Sequence, residues 1–254
     1  MSSNAIKVIA ACALVTWAGG LFAAESACSA SSGDTVAPVI ELYTSEGCSS
    51  CPPADRWLSG LKASAASGKA VVQAFHVGYW DYIGWVDRFA APAHTVRQRE
   101  VAASNQLRGI YTPQVVLNGK DWPLWQGSKA ALAAKNAARV SITLKQLETD
   151  RFEARVAPVA GVGALPWSAY WTVTENGHNS KVQAGENAGE FLKHDFVVRQ
   201  YTQAGDYAAT TDQPQALALR SIAATPGHPR QVNLVVFDKK TGDTLQAVSL
   251  RCAG

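Results

Sequence analysis

Polar and apolar positions along this 254-residue chain follow two different rhythms. From Val36 to about Ala138, near-continuous apolar runs alternate with stretches of helical period. Residues 39–43 predict a buried strand. Residues 52–66 predict a helix, with Ala54, Trp57, Leu58 and Leu61 on its apolar face and Gly68 at its end. Residues 70–77 read as a second strand, apolar on both faces as in a sheet covered on both sides. Residues 92–107 are helical in composition, and residues 114–117 predict a strand that turns at Asn118-Gly119. Ser128 then caps an Ala-rich helix reaching about Ala138.

After Arg139 the period becomes two. Val140, Ile142 and Leu144 alternate with Ser141, Thr143 and Lys145, and Phe152, Ala154 and Val156 alternate with Arg151, Glu153 and Arg155. Further strands are expected over residues 168–174, 191–201, 216–222, 232–237 and 244–250. Turns separate them at Asn176-Gly177, Pro226-Gly227 and Thr241-Gly242-Asp243. About seven short strands so punctuated predict an antiparallel sandwich. The expected fold class is therefore α/β plus all-β. A domain over residues 27–138, its central sheet flanked by helices, precedes a β-sandwich domain over residues 139–254. The change of period is abrupt, so the two are expected to lie close together.

The first 26 residues stand apart. Lys7 is the only charge before Glu25, and the apolar run from Val8 to Val15 leads into small residues, the pattern of a secretory signal peptide. Cleavage is expected after Ala23, Ala24 or Ser26. A retained anchor is the alternative, but Thr16, Gly19 and Gly20 interrupt the run, which is shorter than the roughly 20 apolar residues of a stable span. A lipoprotein modified at Cys28 is disfavoured by Glu25. No second apolar span follows, so the expected location is periplasmic or secreted. The net charge of +3, the 17% of charged residues and the lack of a basic cluster argue against nucleic acid and acidic membrane surfaces as partners.

Export changes the meaning of the five cysteines. Cys12 leaves with the signal peptide, and an even set remains: Cys28, Cys48, Cys51 and Cys252. Cys48 and Cys51 are near enough in sequence to pair with each other. A structural bridge between Cys28 and Cys252 is then expected, two free thiols being the alternative.

Cys48-Ser49-Ser50-Cys51-Pro52-Pro53 follows the first strand and opens the first helix. Unpaired N–H groups at a helix N-terminus stabilise a thiolate, which makes Cys48 the expected nucleophile and Cys51 the resolving thiol. Half a zinc site is the competing reading, but no second CxxC and no closely spaced His pair completes four ligands. A static disulfide is another. Pro113 in Tyr111-Thr112-Pro113-Gln114 stands directly before an apolar strand, a position that suits a cis bond.

Strand, CxxC, helix, strand and then X-Pro at the start of a hairpin resemble the thioredoxin fold, and Leu42-Tyr43-Thr44 before Gly47-Cys48 is most similar to glutaredoxins. The resemblance implies that the loop of Pro113 lies beside the reactive sulfur. It also implies that Thr112, with Tyr111, meets an extended substrate strand. The position of thioredoxin's buried acid is Leu42 here, which leaves Glu41 and Glu46 as offset candidates. More narrowly, Glu41-Leu42-Tyr43-Thr44-Ser45, the CxxC segment, Tyr79-Trp80-Asp81-Tyr82-Ile83-Gly84-Trp85, Gly185-Glu186-Asn187 and Val197-Val198-Arg199 resemble a family of secreted bacterial proteins. That family is catalogued as a domain of unknown function, number twelve twenty-three, and implies fold and export rather than an activity.

Among the other residues, His76 reads as a satisfied core histidine. The aromatic segment 76–87 reads equally as a groove wall or as core, and Arg97, Gln98 and Arg99 as a solvated or anchoring helix face, with a pairing of Arg97 to Asp81 or Asp87 as the alternative. Glu186 and Asn187 read as turn structure. The leading functional reading is a thiol–disulfide oxidoreductase acting on protein or peptide thiols, with no cofactor and no metal. An interaction protein with a static or sensing disulfide is the second. Copper handling by the thiolates near His76 is the third, though Met1 is the only methionine that could support it.

Overall fold

The computed structural model describes residues 28–127, 133, 136–163, 165–208 and 213–252. The expected signal peptide, and Ser128 with most of the helix it was expected to cap, lie outside them.

The first half is built on two parallel strands, β2 (Val39–Thr44) and β3 (Val71–His76), every residue of which is buried. Alternation along β2 sorts its side chains between two helical layers. Ile40 and Leu42 face α1 (Pro52–Ser59) and α2 (Lys62–Ala66), meeting Ala54, Leu58 and Leu61. Tyr43 faces the other way, toward Val101 of α3 (Pro92–Ser104), together with Phe75 and Val116. The single helix expected over residues 52–66 is two. The Gly60 N–H bonds to the carbonyls of Arg56 and Trp57, tightening the last turn of α1, and α2 restarts after Leu61. β4 (Gln114–Leu117) runs antiparallel to β2 and turns into β5 (Lys120–Asp121). Asn118 and Gly119 both have positive φ there, as a two-residue hairpin turn of type I′ requires. A Cβ on Gly119 would stand 2.0 Å from the Gly242 carbonyl oxygen, so only glycine fits where this turn meets the second half.

The second half contributes β6 (Val140–Glu148), β7 (Arg151–Pro158), β8 (Trp167–Glu175), β9 (His178–Lys181), β10 (Phe191–His194), β11 (Val197–Tyr207), β12 (Gln215–Arg220), β13 (Arg230–Asp238) and β14 (Thr244–Leu250). The change of period near residues 138–140 does not divide the hydrogen bonding. One sheet of eight strands, ordered β14-β13-β8-β11-β3-β2-β4-β5, runs through both halves, joined where β11 pairs in parallel with β3 at Val197 and Ala74. A second sheet, ordered β1-β6-β7-β12 with β1 (Ser29–Ser31), covers one face of the β8, β13 and β14 region. Between them lies an apolar core that includes Ile142, Leu144, Phe152, Trp171, Leu234 and Leu250. One layer of the expected sandwich is thus the continuation of the sheet that begins with β2 and β3.

The strand expected over residues 191–201 is interrupted at Asp195-Phe196. Phe196, at positive φ, buries its ring in the core beneath α1, so β10 turns away to pair with β9 as a separate two-stranded hairpin. Cys28 and Cys252 are joined by a disulfide. No helix among the described residues is long and apolar enough to cross a membrane.

A candidate dithiol site capped by a hairpin

The chain leaves β2 at Thr44 and enters α1 at Pro52, and the intervening turn carries a disulfide between Cys48 and Cys51. The Cys48 N–H bonds to the Ser45 carbonyl and the Cys51 N–H to the Cys48 carbonyl. Cys51 occupies the cap of α1, where its carbonyl accepts from the N–H groups of Ala54 and Asp55. Pro52 and Pro53 fill the first turn, where a missing N–H leaves no bond unmade. Both cysteines are fully buried, whereas Ser49 and Ser50 are exposed, and the Ser50 Oγ lies 3.4 Å from the Cys48 Sγ.

The peptide between Thr112 and Pro113 is cis. Because Gln114 pairs with Tyr43, this peptide stands level with Thr44, at the same end of β2 as the disulfide. Trp80 links the two loops. Its indole N–H donates to the Thr112 Oγ1 at 2.8 Å, and its Cβ is so near Gly47 that a Cβ there would approach to 2.9 Å. Part of the aromatic segment therefore does wall this site. Tyr111 is held by both ends: its carbonyl accepts from the Gln98 Nε2 and its hydroxyl donates to Asp121.

Glu186 and Asn187, read from the sequence as turn structure, lie on the dithiol loop itself. The Glu186 Oε2 accepts from the Ser49 N–H at 2.9 Å. The Asn187 Nδ2 donates to the carbonyls of Glu46 (2.8 Å) and Cys48 (3.0 Å). Both residues come from the tip of the β9–β10 hairpin, which closes over Cys48. These contacts span about 140 positions of sequence, so no local pattern announces them. The available signals are the family resemblance of Gly185-Glu186-Asn187 and Gly185 itself, at positive φ, where a Cβ would strike the Ile83 side chain at 2.9 Å.

Beneath the loop lies a set of buried ionisable groups. The Asp87 carboxylate binds the His76 Nδ1 at 2.7 Å and accepts from the Glu46 N–H at 2.9 Å. The Glu46 carboxylate accepts from the Trp85 indole at 2.7 Å and faces the His194 Nε2 at 3.2 Å. Asp55, one turn beyond Cys51 on α1, accepts from the Thr44 hydroxyl. Burial pushes the Asp55 carboxyl above the usual carboxylate range, against the influence of His194 and His76. Burial alone would lower His76, but the charge of Asp87 overcomes it and His76 is raised. Burial dominates at His94, which is pushed down to about 4. The His76 Nε2 and His194 Nδ1 are buried without a hydrogen-bond partner among the described residues.

Arg97 does not pair with Asp81 or Asp87. Its Nη2 binds the Glu41 Oε1 at 2.7 Å and its Nε the Glu41 Oε2 at 3.3 Å. Glu41 points from β2 to the α3 face, and His76 already holds Asp87. Glu41 also accepts from the hydroxyls of Tyr43 and Tyr170, and Leu42 points toward α1. Among the described residues, no group of three or more His, Cys, Asp or Glu side chains is arranged to hold a metal ion.

Among solved structures, the chain is similar to protein AGR_C_4864 from Agrobacterium tumefaciens, with a TM-score of 0.63 and 23% identity over 86% of this chain and 96% of that one. It is also similar to HBP35 of Porphyromonas gingivalis, with a TM-score of 0.55 and 13% identity over 86% of this chain and 76% of that one. At these identities the likeness concerns the fold. No curated protein matches the sequence. The model of the family described as a protein of unknown function, DUF1223, matches residues 39–237, and the chain belongs to that family.

Proposed function

We propose that the protein is an extracytoplasmic thiol–disulfide oxidoreductase of thioredoxin-like type. The observation that carries the reading is a Cys48–Cys51 pair closed at the N-terminus of α1, at the same end of β2 as the Thr112–Pro113 loop. Parallel β2 and β3, antiparallel β4 and helices on both faces support the thioredoxin-like assignment of residues 27–138. Two disulfides support an oxidising compartment.

In the reducing direction, the Cys48 thiolate attacks a substrate disulfide. One substrate thiolate leaves and a mixed disulfide forms. Cys51 then attacks the Cys48 sulfur, re-forming Cys48–Cys51 and releasing the second thiolate, so two electrons pass from the dithiol to the substrate. The substrate is a protein or peptide strand lying along Tyr111, Thr112 and Pro113. Asp55, one turn beyond Cys51 on α1 and protonated more readily than an ordinary carboxyl, is assigned the proton exchange with Cys51 in this reading.

Complete burial of Cys48 beneath Asn187 favours a second reading, an interaction protein with a static disulfide. One assay separates the two: insulin reduction by dithiothreitol, followed with and without the protein. Acceleration by the wild type, abolished in Cys48→Ser and raised several-fold in Asn187→Ala, supports the oxidoreductase. No acceleration by either the wild type or Asn187→Ala, while Cys48–Cys51 itself can be reduced, supports the static reading.

A further inference from the structure

A cavity of about 390 Å³, within the range of small-molecule sites, lies on the α3 face of the eight-stranded sheet and is lined by none of the dithiol residues. It exists because cover runs out. Trp167, Trp171 and Val173 of β8 face the second sheet, whereas Ser168 and Tyr170 face the side of α3. That helix covers the β2–β3 region and leaves the floor beside it open. Three aromatic rings from different strands, Tyr170, Tyr201 and Phe237, converge there, with centroids 5.5 Å apart for Tyr170 and Tyr201 and 6.0 Å apart for Tyr170 and Phe237.

Arg97 lines the cavity, and its guanidinium lies over two of the lining rings, Tyr170 and Phe237. One of its edges, Nε and Nη2, is committed to Glu41, whose two oxygens also receive the Tyr43 and Tyr170 hydroxyls. No described residue accepts a hydrogen bond from Nη1. The remaining edge of Nη1 and Nη2 is therefore a second fork without a partner. Its plane is fixed, with the guanidinium carbon 4.3 Å from the Tyr170 centroid and 5.4 Å from that of Phe237. Glu41 is already shared among four donors, which leaves the second edge a strong donor pair.

We propose that this cavity binds a small carboxylate with a flat apolar body. The carboxylate oxygens accept two parallel hydrogen bonds from the free edge of Arg97, and the body lies against Tyr201 and Phe237. Lys239, paired with Asp206 on the cavity wall, adds a second cation. The opposing charges are Glu41 on the other edge of Arg97, Glu100 on the exposed side of α3, and Asp206 itself, which Lys239 and the Ser168 hydroxyl hold. A ligand cation would be drawn to Glu100 and to the same rings. The site is independent of the redox reading, because it shares no residue with the dithiol loop.

Calorimetric titration of the full oxidised chain with phenylacetate, benzyl alcohol and benzylamine tests this. Phenylacetate is expected to saturate one site, with benzyl alcohol at least about tenfold weaker. Arg97→Lys keeps a charge for Glu41 but lacks a second fork, and is expected to weaken phenylacetate by about tenfold or more. Tyr201→Leu, on the half-buried wall, is expected to weaken it several-fold while the chain still unfolds in one cooperative transition. Benzylamine binding more tightly than phenylacetate, equal binding of the alcohol, an unchanged affinity in Arg97→Lys, or no phenylacetate binding at millimolar concentration would each overturn the proposal.

Discussion

Replacing Glu41 by alanine is expected to lower folding stability by about 3–5 kcal/mol, read as a large drop in the urea midpoint of unfolding. The reason is what stays behind. Arg97 is 7% exposed, and its guanidinium would remain between α3 and the sheet with no counter-charge. The hydroxyls of Tyr43 and Tyr170 would lose their acceptor as well. An unpaired buried charge costs far more than the pair contributes when intact, because desolvation is no longer offset. A cycle separates the two quantities. The double variant Glu41→Leu with Arg97→Met removes both charges, and is expected to recover most of the loss. A single variant within about 1 kcal/mol of the wild type would show that water in the adjoining cavity solvates the Arg97 charge well enough to replace Glu41.

The same pair fixes a pH dependence. Burial alone would raise the Glu41 carboxyl, but Arg97 and the tyrosine hydroxyls overcome it, and the folded-state pKa lies below the usual value. A carboxyl depressed in the folded state contributes stability that is present above its unfolded pKa and lost as pH falls through the folded one. Asp87, lowered by His76 against its own burial, acts in the same direction. The fold should therefore weaken on the acid side of the ordinary carboxylate range.

Much of this architecture was legible in the sequence, and the parts that were not share a cause. The apolar runs at Val39 and Val71 read correctly as covered strands, because every position of both is buried and periodicity reports burial directly. The strand His178-Asn179-Ser180-Lys181 was invisible, since it pairs only with β10 and carries no apolar alternation. Phe196 broke a run that reads as one strand, because a positive φ at a non-glycine residue has no sequence signature. At the candidate site, the CxxC spacing and the proline before β4 were local and could be read. Glu186, Asn187 and the pairing of Arg97 with Glu41 could not. Each joins elements far apart in the chain, and a single sequence records which residues are polar but not which polar residues meet. The continuous sheet was hidden for the same reason, as its junction rests on one parallel register between Val197 and Ala74.

Removing the Cys28–Cys252 bridge in a Cys28→Ser, Cys252→Ser double variant is expected to lower stability by about 2–5 kcal/mol. The bond closes a loop of sequence separation 224, for which chain entropy in the unfolded state alone amounts to roughly 5 kcal/mol. Its position adds a native-state effect. β1 is the edge of the four-stranded sheet and β14 the edge of the eight-stranded one, so the bridge staples two edge strands across the sandwich. β1 is only three residues long, alternates exposed and half-buried positions, and pairs with β6 at Ser29, Ala30 and Ser31 alone. Without the bridge its N-terminal end is held by backbone bonds at Cys28 and Ser32 and by the packing of Ala30, and fraying there exposes the backbone of β6 as an open edge. Two observables follow: a lower denaturation midpoint, and faster amide hydrogen exchange at Ile142 and Gln146, whose N–H groups bond to the Ser32 hydroxyl and the Cys28 carbonyl. The variant keeps Cys48 and Cys51, so it separates this bond from the candidate redox pair in a way that added reductant cannot. A midpoint shifted by less than about 1 kcal/mol, with exchange in β6 unchanged, would mean that Leu250 and its neighbours in the sandwich core already hold the ends, and that the bridge restrains nothing the packing does not.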